Sequence, residues 1–507
     1  MSLSIRKISL IISVIFLICV GLFFREKLST DYLVHVDSYK FLVQSKSFAS
    51  DVSKDFVKTN VGIEGKWGYP LLISAENSIL KLQGSDLINL FRINNIILSI
   101  SCGILLLIFT KSWSKLFAIP LLLSSLYIDY SSYVINEFLN LFLIIDIFII
   151  AKNLEKLKSK QKLSAEIILG LIAGYLPFVR IESIVVSILI LAYVFAKKNE
   201  SFKKVSLSFI TSFSLTGLII FSITQKFNLS FITHNLWLVA GVGIGILSFV
   251  YLLKYHEKKL QNINLTIITF GLVVLPLTVD SFKNAASLDI LLIIFLFAGF
   301  AKLLYLSGYK KVRLATTTTV FSTITIILAC IFIVFNNEID RYLLTIYGVA
   351  ILTLVAGYED LRLINWKKVS FRLGFVLITL VFFVGAMWNL TKTTPRKLDY
   401  QQEIMSHVQS LNNIKKLYLS GYLYIPYIYF HEAKPIIADK VNRSDLRSGD
   451  TIFVESSLQV TNPTLYDDII HGEKDFILIQ SYRIDAPFSY SLGTVENSGD
   501  FKIFVKK

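Results

Sequence analysis

The sequence predicts a polytopic α-helical membrane protein, with about 13 transmembrane helices and a small C-terminal α/β domain outside the membrane. Three observations carry that reading. Of 507 residues, 54% are hydrophobic and only 17% charged, where soluble globular chains carry about a quarter charged residues. Mean hydropathy is +0.62. Apolar runs recur from residue 8 to residue 389, and about 20 apolar residues in a helix are what the hydrocarbon core of a bilayer requires. This balance excludes an ordinary cytosolic enzyme and a disordered scaffold.

The first run, Ile8 to Phe24, follows Arg6 and Lys7 and is followed by Arg25-Glu26-Lys27 with no small-x-small cleavage site, so it reads as a retained anchor. A polar stretch, 25–87, comes next as the first outer loop. Within it, Leu71–Leu82 reads as a short helix with Pro70 in its first turn, and Trp67 and Tyr69 suit an interfacial aromatic belt. Further apolar runs lie at 88–109, 116–131, 134–150, 164–178, 183–196, 205–224, 236–253, 265–281, 287–306, 314–335, 342–356 and 373–389. An odd number of spans puts the two ends on opposite sides.

Lysine and arginine placement sets the orientation. Alternate connections, beginning with the N-terminal segment, hold 24 of them, and the short connections on the other side hold 4. Under the positive-inside rule the N-terminus is cytoplasmic, and the first long loop and the C-terminus are outside. The net charge of +15 is thereby spent on the inner face, because the region from Leu390 onward carries 14 basic and 14 acidic residues. No phosphate-tracking basic patch remains, so no nucleic-acid partner is expected. The Ile/Lys/Asn/Ser-rich composition points to an AT-rich bacterial genome and the plasma (inner) membrane.

The chain divides into a transmembrane domain, 1–390, and an extracytoplasmic α/β domain, 391–507. Pro395 and the polar run Lys392–Lys397 link them. Lys416–Leu419, Thr451–Glu455, Phe476–Ser481 and Lys502–Val505 read as short strands. Asp399–Leu411, Tyr422–His431 and Thr464–Ile470 read as helices between them. No glycine-rich phosphate loop is present.

Cys19, Cys102 and Cys330 each sit inside an apolar run, which offers neither a disulfide framework nor a thiolate metal site. Chemistry must run on carboxylates, Arg, Lys and Tyr. Arg180, in Val179-Arg180-Ile181-Glu182, and Arg341, in Asp340-Arg341-Tyr342, lie on the outer side, where the charge bias disfavours cations. Arg92 sits near the outer end of the second span beside Asn94 and Asn95. These arginines either snorkel to headgroups or pair with Glu182 and Asp340, or they join a site for an anionic headgroup, since a guanidinium takes phosphate oxygens in a fork. Glu137, with Asn140 one turn on, either neutralises an outer arginine or contacts substrate. Asp37, about a dozen residues beyond the first span, is the best catalytic carboxylate. His35-x-Asp37 would offer a divalent cation two ligands, which is a poor site alone.

Together these pieces resemble the GT-C membrane glycosyltransferases, notably the bacterial branch related to protein O-mannosyltransferases and lipid A aminoarabinose transferases. Asp37-Ser38 is similar to that family's first-loop acidic motif, and Lys66-Trp67-Gly68-Tyr69-Pro70-Leu71-Leu72 to its "GYPLL" helix start. Asn136-Glu137 resembles its Thr-Glu element, Arg180-Ile181-Glu182 its Arg-Pro-Glu turn, and Arg341-Tyr342-Leu343 its Arg-Tyr-Leu-x-Pro element. Ser38 stands where relatives often have Glu, Ile181 replaces a Pro, and Thr345 and Ile346 stand where a Pro is common.

The resemblance implies sugar transfer from a polyprenyl-phosphate donor to an acceptor hydroxyl on the outer face. Asp37 would be general base; Arg341, Arg180, Arg92, Tyr342, Lys66 and Tyr69 would bind the donor or its phosphate; Glu137, Glu182 and Asp340 would support them. The acceptor is lipid, glycan or protein. A polysaccharide polymerase or ligase would share the topology but calls for a large outer loop late in the chain. A lipid-linked sugar flippase calls for polar groups at the midplane and two related halves, and here the polar exceptions gather at the outer rim.

Overall fold

A computed structural model describes residues 14–25, 41–46, 66–82, 84–110, 112–131, 135–197, 199–224, 236–274, 282–308, 314–335, 343–360, 368–392, 416–419, 436–438, 441–454, 458–459, 462–471, 475–483 and 500–507. The chain forms two compact units. The first comprises Met1–Glu26, Ile63–Leu72 and Arg92–Lys392; the second comprises Lys27–Gly62, Ile73–Phe91 and Thr393–Lys507.

The helices in chain order are α1 (Val14–Arg25), α2 (Gly68–Leu80), α3 (Gly84–Phe109), α4 (Ile119–Leu123), α5 (Ser125–Ser131), α6 (Glu137–Asn153), α7 (Ser159–Val179), α8 (Ile184–Lys197) and α9 (Asn199–Thr224). Then follow α10 (Leu236–Tyr255), α11 (Glu257–Val274), α12 (Phe282–Gly308), α13 (Thr316–Phe335), α14 (Leu343–Asp360) and α15 (Lys368–Lys392). Among the described residues, five helical stretches are long and apolar enough to cross a membrane: Asp86–Phe109, Ser159–Val179, Ser201–Ser222, Ile290–Gly308 and Thr316–Ile333. They fall on the apolar runs expected at 88–109, 164–178, 205–224, 287–306 and 314–335. The chain is a multi-pass helical membrane protein.

Lipid tails are as apolar as leucine, so helices in a bilayer associate through close packing and polar bonds rather than through apolar burial alone. Both are present. Gly170 and Gly174 on α7 lie against α9 so closely that a Cβ at either would run into the Val205 or Phe209 backbone carbonyl. Gly348 on α14 likewise admits the Leu141 side chain of α6. Further down the same two helices, Lys152 of α6 forms an ion pair with the largely buried Glu359 of α14.

The run expected as one span over 116–131 is instead broken. A 3-10 turn (Ser112–Ala118) leads into α4, Ser124 is extended with ψ of 139°, and α5 follows. Fully buried Arg25, at the end of α1, fills the hole this leaves. It donates to the Leu121 carbonyl at 3.0 Å, to the Leu122 carbonyl at 2.7 Å and to Ser99 Oγ at 2.8 Å. The break releases carbonyls that a continuous helix would have bonded, and a guanidinium with five donors satisfies them.

In the second unit, β1 (Leu417–Leu419), β2 (Ile436–Ile437), β3 (Thr451–Val454), β4 (Phe476–Arg483) and β5 (Asp500–Lys506) form a mixed sheet of order β2-β1-β3-β5-β4. β1 runs parallel to β2 and β3, and β5 runs antiparallel to β3 and β4. The strands expected near 416–419, 451–455, 476–481 and 502–505 are all present. Helix α16 (Pro463–Ile470) packs Leu465 and Ile469 into a core with Tyr418, Ile452 and Phe504. Asn462 caps it, accepting from the Leu465 N–H at 3.2 Å while its amide donates to the Ala438 and Val441 carbonyls. The helices expected at 399–411 and 422–431 lie outside the described residues.

Candidate functional site

The first turn of α6 and the last turn of α7 meet through Arg180. The residue terminates α7 in an extended conformation, φ −147° and ψ 127°, which aims its side chain across the gap between helices. It is 1% exposed. Its Nη1 donates to Glu137, which opens α6, while its Nε donates to Glu182 Oε1 at 2.6 Å and its Nη2 to the same oxygen. A charge this deeply buried persists only with partners, and Arg180 and both carboxylates form one ion-paired knot.

The Lys66 ammonium also acts on this cluster, through Glu182. Burial opposes the charge on Glu182. The adjacent Arg180, a backbone N–H and Lys66 more than offset that cost, so the Glu182 carboxyl titrates below its ordinary range. Lys66 itself begins the described part of the segment that starts α2. Trp67 and Tyr69 in that segment are buried, at 2% and 0% exposure, rather than forming an interfacial belt. Their rings pack inside the protein because Gly68 lets the backbone of the segment approach α7 without a side chain in between.

Amide and hydroxyl groups extend the knot. Asn136 Nδ2 donates to the Val179 carbonyl at 2.5 Å. Asn140, one turn further along α6 and fully buried, accepts from Ser183 Oγ at 2.7 Å and donates to Thr345 Oγ1 at 3.4 Å, in the first turn of α14. Tyr127 of α5 donates to the Leu344 carbonyl at 2.9 Å. Pro177 inside α7 has no N–H for the Ala173 carbonyl, and Ser187 of α8 supplies the missing donor at 2.7 Å.

Three elements singled out in the sequence, Lys66-Trp67-Gly68-Tyr69, Asn136-Glu137 and Arg180-Ile181-Glu182, are thus in contact. The first turn of α14, which directly follows Arg341-Tyr342 in the sequence, is tied to them. Arg92 is buried on α3. Asp37, His35, Asp340, Arg341 and Tyr342 lie outside the described residues. Among the described residues, no group of three or more His, Cys, Asp or Glu side chains is placed to hold a metal ion. Tyr127, Tyr175 and Ser183 carry no motif, and their polarity within or beside apolar runs is the signal that marks them.

No family model matches the sequence. No curated protein matches it either. Among solved structures, the crystal structure of the Archaeoglobus fulgidus oligosaccharyltransferase in complex with zinc and sulfate superposes with a TM-score of 0.51 at 10% identity, covering 94% of this chain and 72% of that one. ArnT from Cupriavidus metallidurans bound to undecaprenyl phosphate superposes with a TM-score of 0.49 at 10% identity, covering 97% of each chain. In its fold, the chain is similar to the GT-C membrane glycosyltransferases, as the sequence resemblance implied.

Proposed function

We propose that the protein is a GT-C-type glycosyltransferase that moves a sugar from a polyprenyl-phosphate-linked donor to an acceptor hydroxyl on the outer face of a bacterial plasma membrane. The chain crosses the membrane about thirteen times, with its N-terminus cytoplasmic and its C-terminal α/β domain outside. The observation that carries this reading is the convergence of three sequence motifs and the start of α14 on one buried ionic knot. The shared fold supports it.

In this mechanism Asp37 is the general base. An acceptor hydroxyl is far too weak an acid to ionise first, so its proton moves to Asp37 as the oxygen attacks the anomeric carbon. The bond from that carbon to the donor phosphate breaks, and the departing lipid phosphate takes the electron pair. Arg341, Lys66 and Arg92 stabilise that growing charge, with Tyr342 and Tyr69 lining the donor, which is where preorganised electrostatics contribute most. Arg180, held by Glu137 and Glu182, supplies a fixed positive charge at the edge of the same site, and Asp340 flanks Arg341. A divalent cation at Asp37 would need ligands beyond His35 and Asp37.

Sugar release from a defined polyprenyl-phosphate donor by the purified protein in detergent tests the reading. Transfer to an added acceptor or to water is the expected result. Donor binding or transbilayer movement without bond cleavage would point to a flippase instead.

A further inference from the structure

Lys66 carries its charge on a flexible four-carbon stem, so its aim depends on how firmly the backbone beside it is held. That backbone is held from α7 and α3. Tyr175 lies one turn before Val179 on the same face of α7, and its hydroxyl donates to the Gly68 carbonyl. A Cβ on Gly68 would stand 2.8 Å from the Val179 nitrogen and 3.0 Å from the Phe178 carbonyl carbon. The segment therefore rests directly on the backbone that leads into Arg180. One residue on, the fully buried Tyr69 donates to Asn95 Oδ1 of α3 at 2.7 Å. Trp67, between Lys66 and Gly68 in sequence, is buried as well.

We propose that Tyr175 and Asn95 are positioning residues that clamp the Lys66–Tyr69 segment against α7 and α3 and so aim the Lys66 ammonium at the donor phosphate. This rests on the donor-phosphate role of Lys66 given above. Neither residue need touch the donor; Tyr175 fixes the Gly68 peptide and Asn95 fixes the Tyr69 side chain, both within three residues of Lys66. The turn that carries Arg180 and Glu182 begins where Gly68 lies on Val179.

The test compares binding of a short-chain polyprenyl phosphate with binding of the corresponding polyprenol by full-length protein in detergent. The ratio of the two affinities isolates recognition of the phosphate from general binding of the chain. Lys66→Ala should lower that ratio about tenfold. Tyr175→Phe and Asn95→Ala should each lower it about fivefold, the order of one lost hydrogen bond, with polyprenol affinity unchanged. Added to Lys66→Ala, Tyr175→Phe should cost little more, because both act through one ammonium. Asn264→Ala removes a buried amide that bonds Ser322 and Thr323 elsewhere in the bundle, and it should leave the ratio at its wild-type value.

The inference is overturned if Tyr175→Phe and Asn95→Ala keep the wild-type ratio, weaken phosphate and alcohol equally, or add in full to Lys66→Ala. If Tyr175→Phe does not fold, Asn95→Ala decides the matter. If Lys66→Ala itself leaves the ratio unchanged, the role of Lys66 falls, and the clamp's purpose with it.

Discussion

Two arginines in this chain each face two carboxylates, and their surroundings could hardly differ more. Arg180, between α6 and α7, is held by Glu137 and Glu182 with almost no solvent exposure. Arg443, on the C-terminal unit, pairs with Asp475 and reaches Asp468 at 3.9 Å, with about two-fifths of its side chain in water. Lys506 shares Asp475 at 3.7 Å. The charges are alike, and the dielectric is not. In water an ion pair gains little over two hydrated ions and is screened by salt. Inside a protein, each charge has lost its hydration, so removing one partner strands the other. The buried knot is therefore a structural commitment, and the exposed one is a surface detail.

The largest effect should come from breaking the buried side of this comparison. Arg180→Met takes from two carboxylates the guanidinium they share, and removing one partner of a buried ion pair typically costs about 3–5 kcal/mol. A thermal melt of the variant in detergent should show a large loss of stability, part of which Glu137→Gln restores when combined with it. Gly68→Ala comes next. Its Cβ would press on the Val179 backbone, which cannot swing aside as a side chain would, and overpacking of this kind costs about 1–3 kcal/mol. The same melt, with donor affinity measured alongside, should show both falling.

Acid should then separate the two clusters by degree. Glu182 has a folded-state pKa below its unfolded value, so its stabilisation is complete above about 4.3 and is lost as pH falls through the lowered folded value. The stability difference between wild type and Glu182→Gln should be constant at neutral pH and shrink under strong acid. Smallest of all is Arg443→Ala, which should leave the melting midpoint where it was, with any residual shift erased by added salt. An Arg443→Ala effect as large as that of Arg180→Met would overturn the comparison.

How much of this was legible beforehand follows from the same physics. The long spans stand out because the bilayer demands a run of apolar residues that no local bond can disguise. The strands at 451–454 and 476–483 show because β-branched and aromatic residues cluster there. The Arg180–Glu182 pairing was foreseeable, since the two residues are neighbours in sequence. Its third member, Glu137, lies 43 positions away, and only folding selects it over open water or a substrate. Tyr175, Asn95 and Tyr127 were harder still. A tyrosine or asparagine in an apolar run reads as packing until the carbonyl or hydroxyl it bonds is known, and those partners lie 107, 26 and 217 positions distant. The break at Ser124 was hidden for a similar reason, because Arg25, which satisfies the freed carbonyls, lies nearly a hundred residues earlier. Strand β2 spans two residues, too few for any periodicity to register.

The proposed reaction turns on one carboxylate. The decisive measurement is the rate of sugar transfer from a polyprenyl-phosphate donor by purified Asp37→Asn, set beside wild type at saturating donor. Asparagine keeps the shape and cannot accept the acceptor's proton, so donor binding should persist while turnover falls by about 100-fold or more. Transfer at close to the wild-type rate would contradict the assignment of Asp37 as the base.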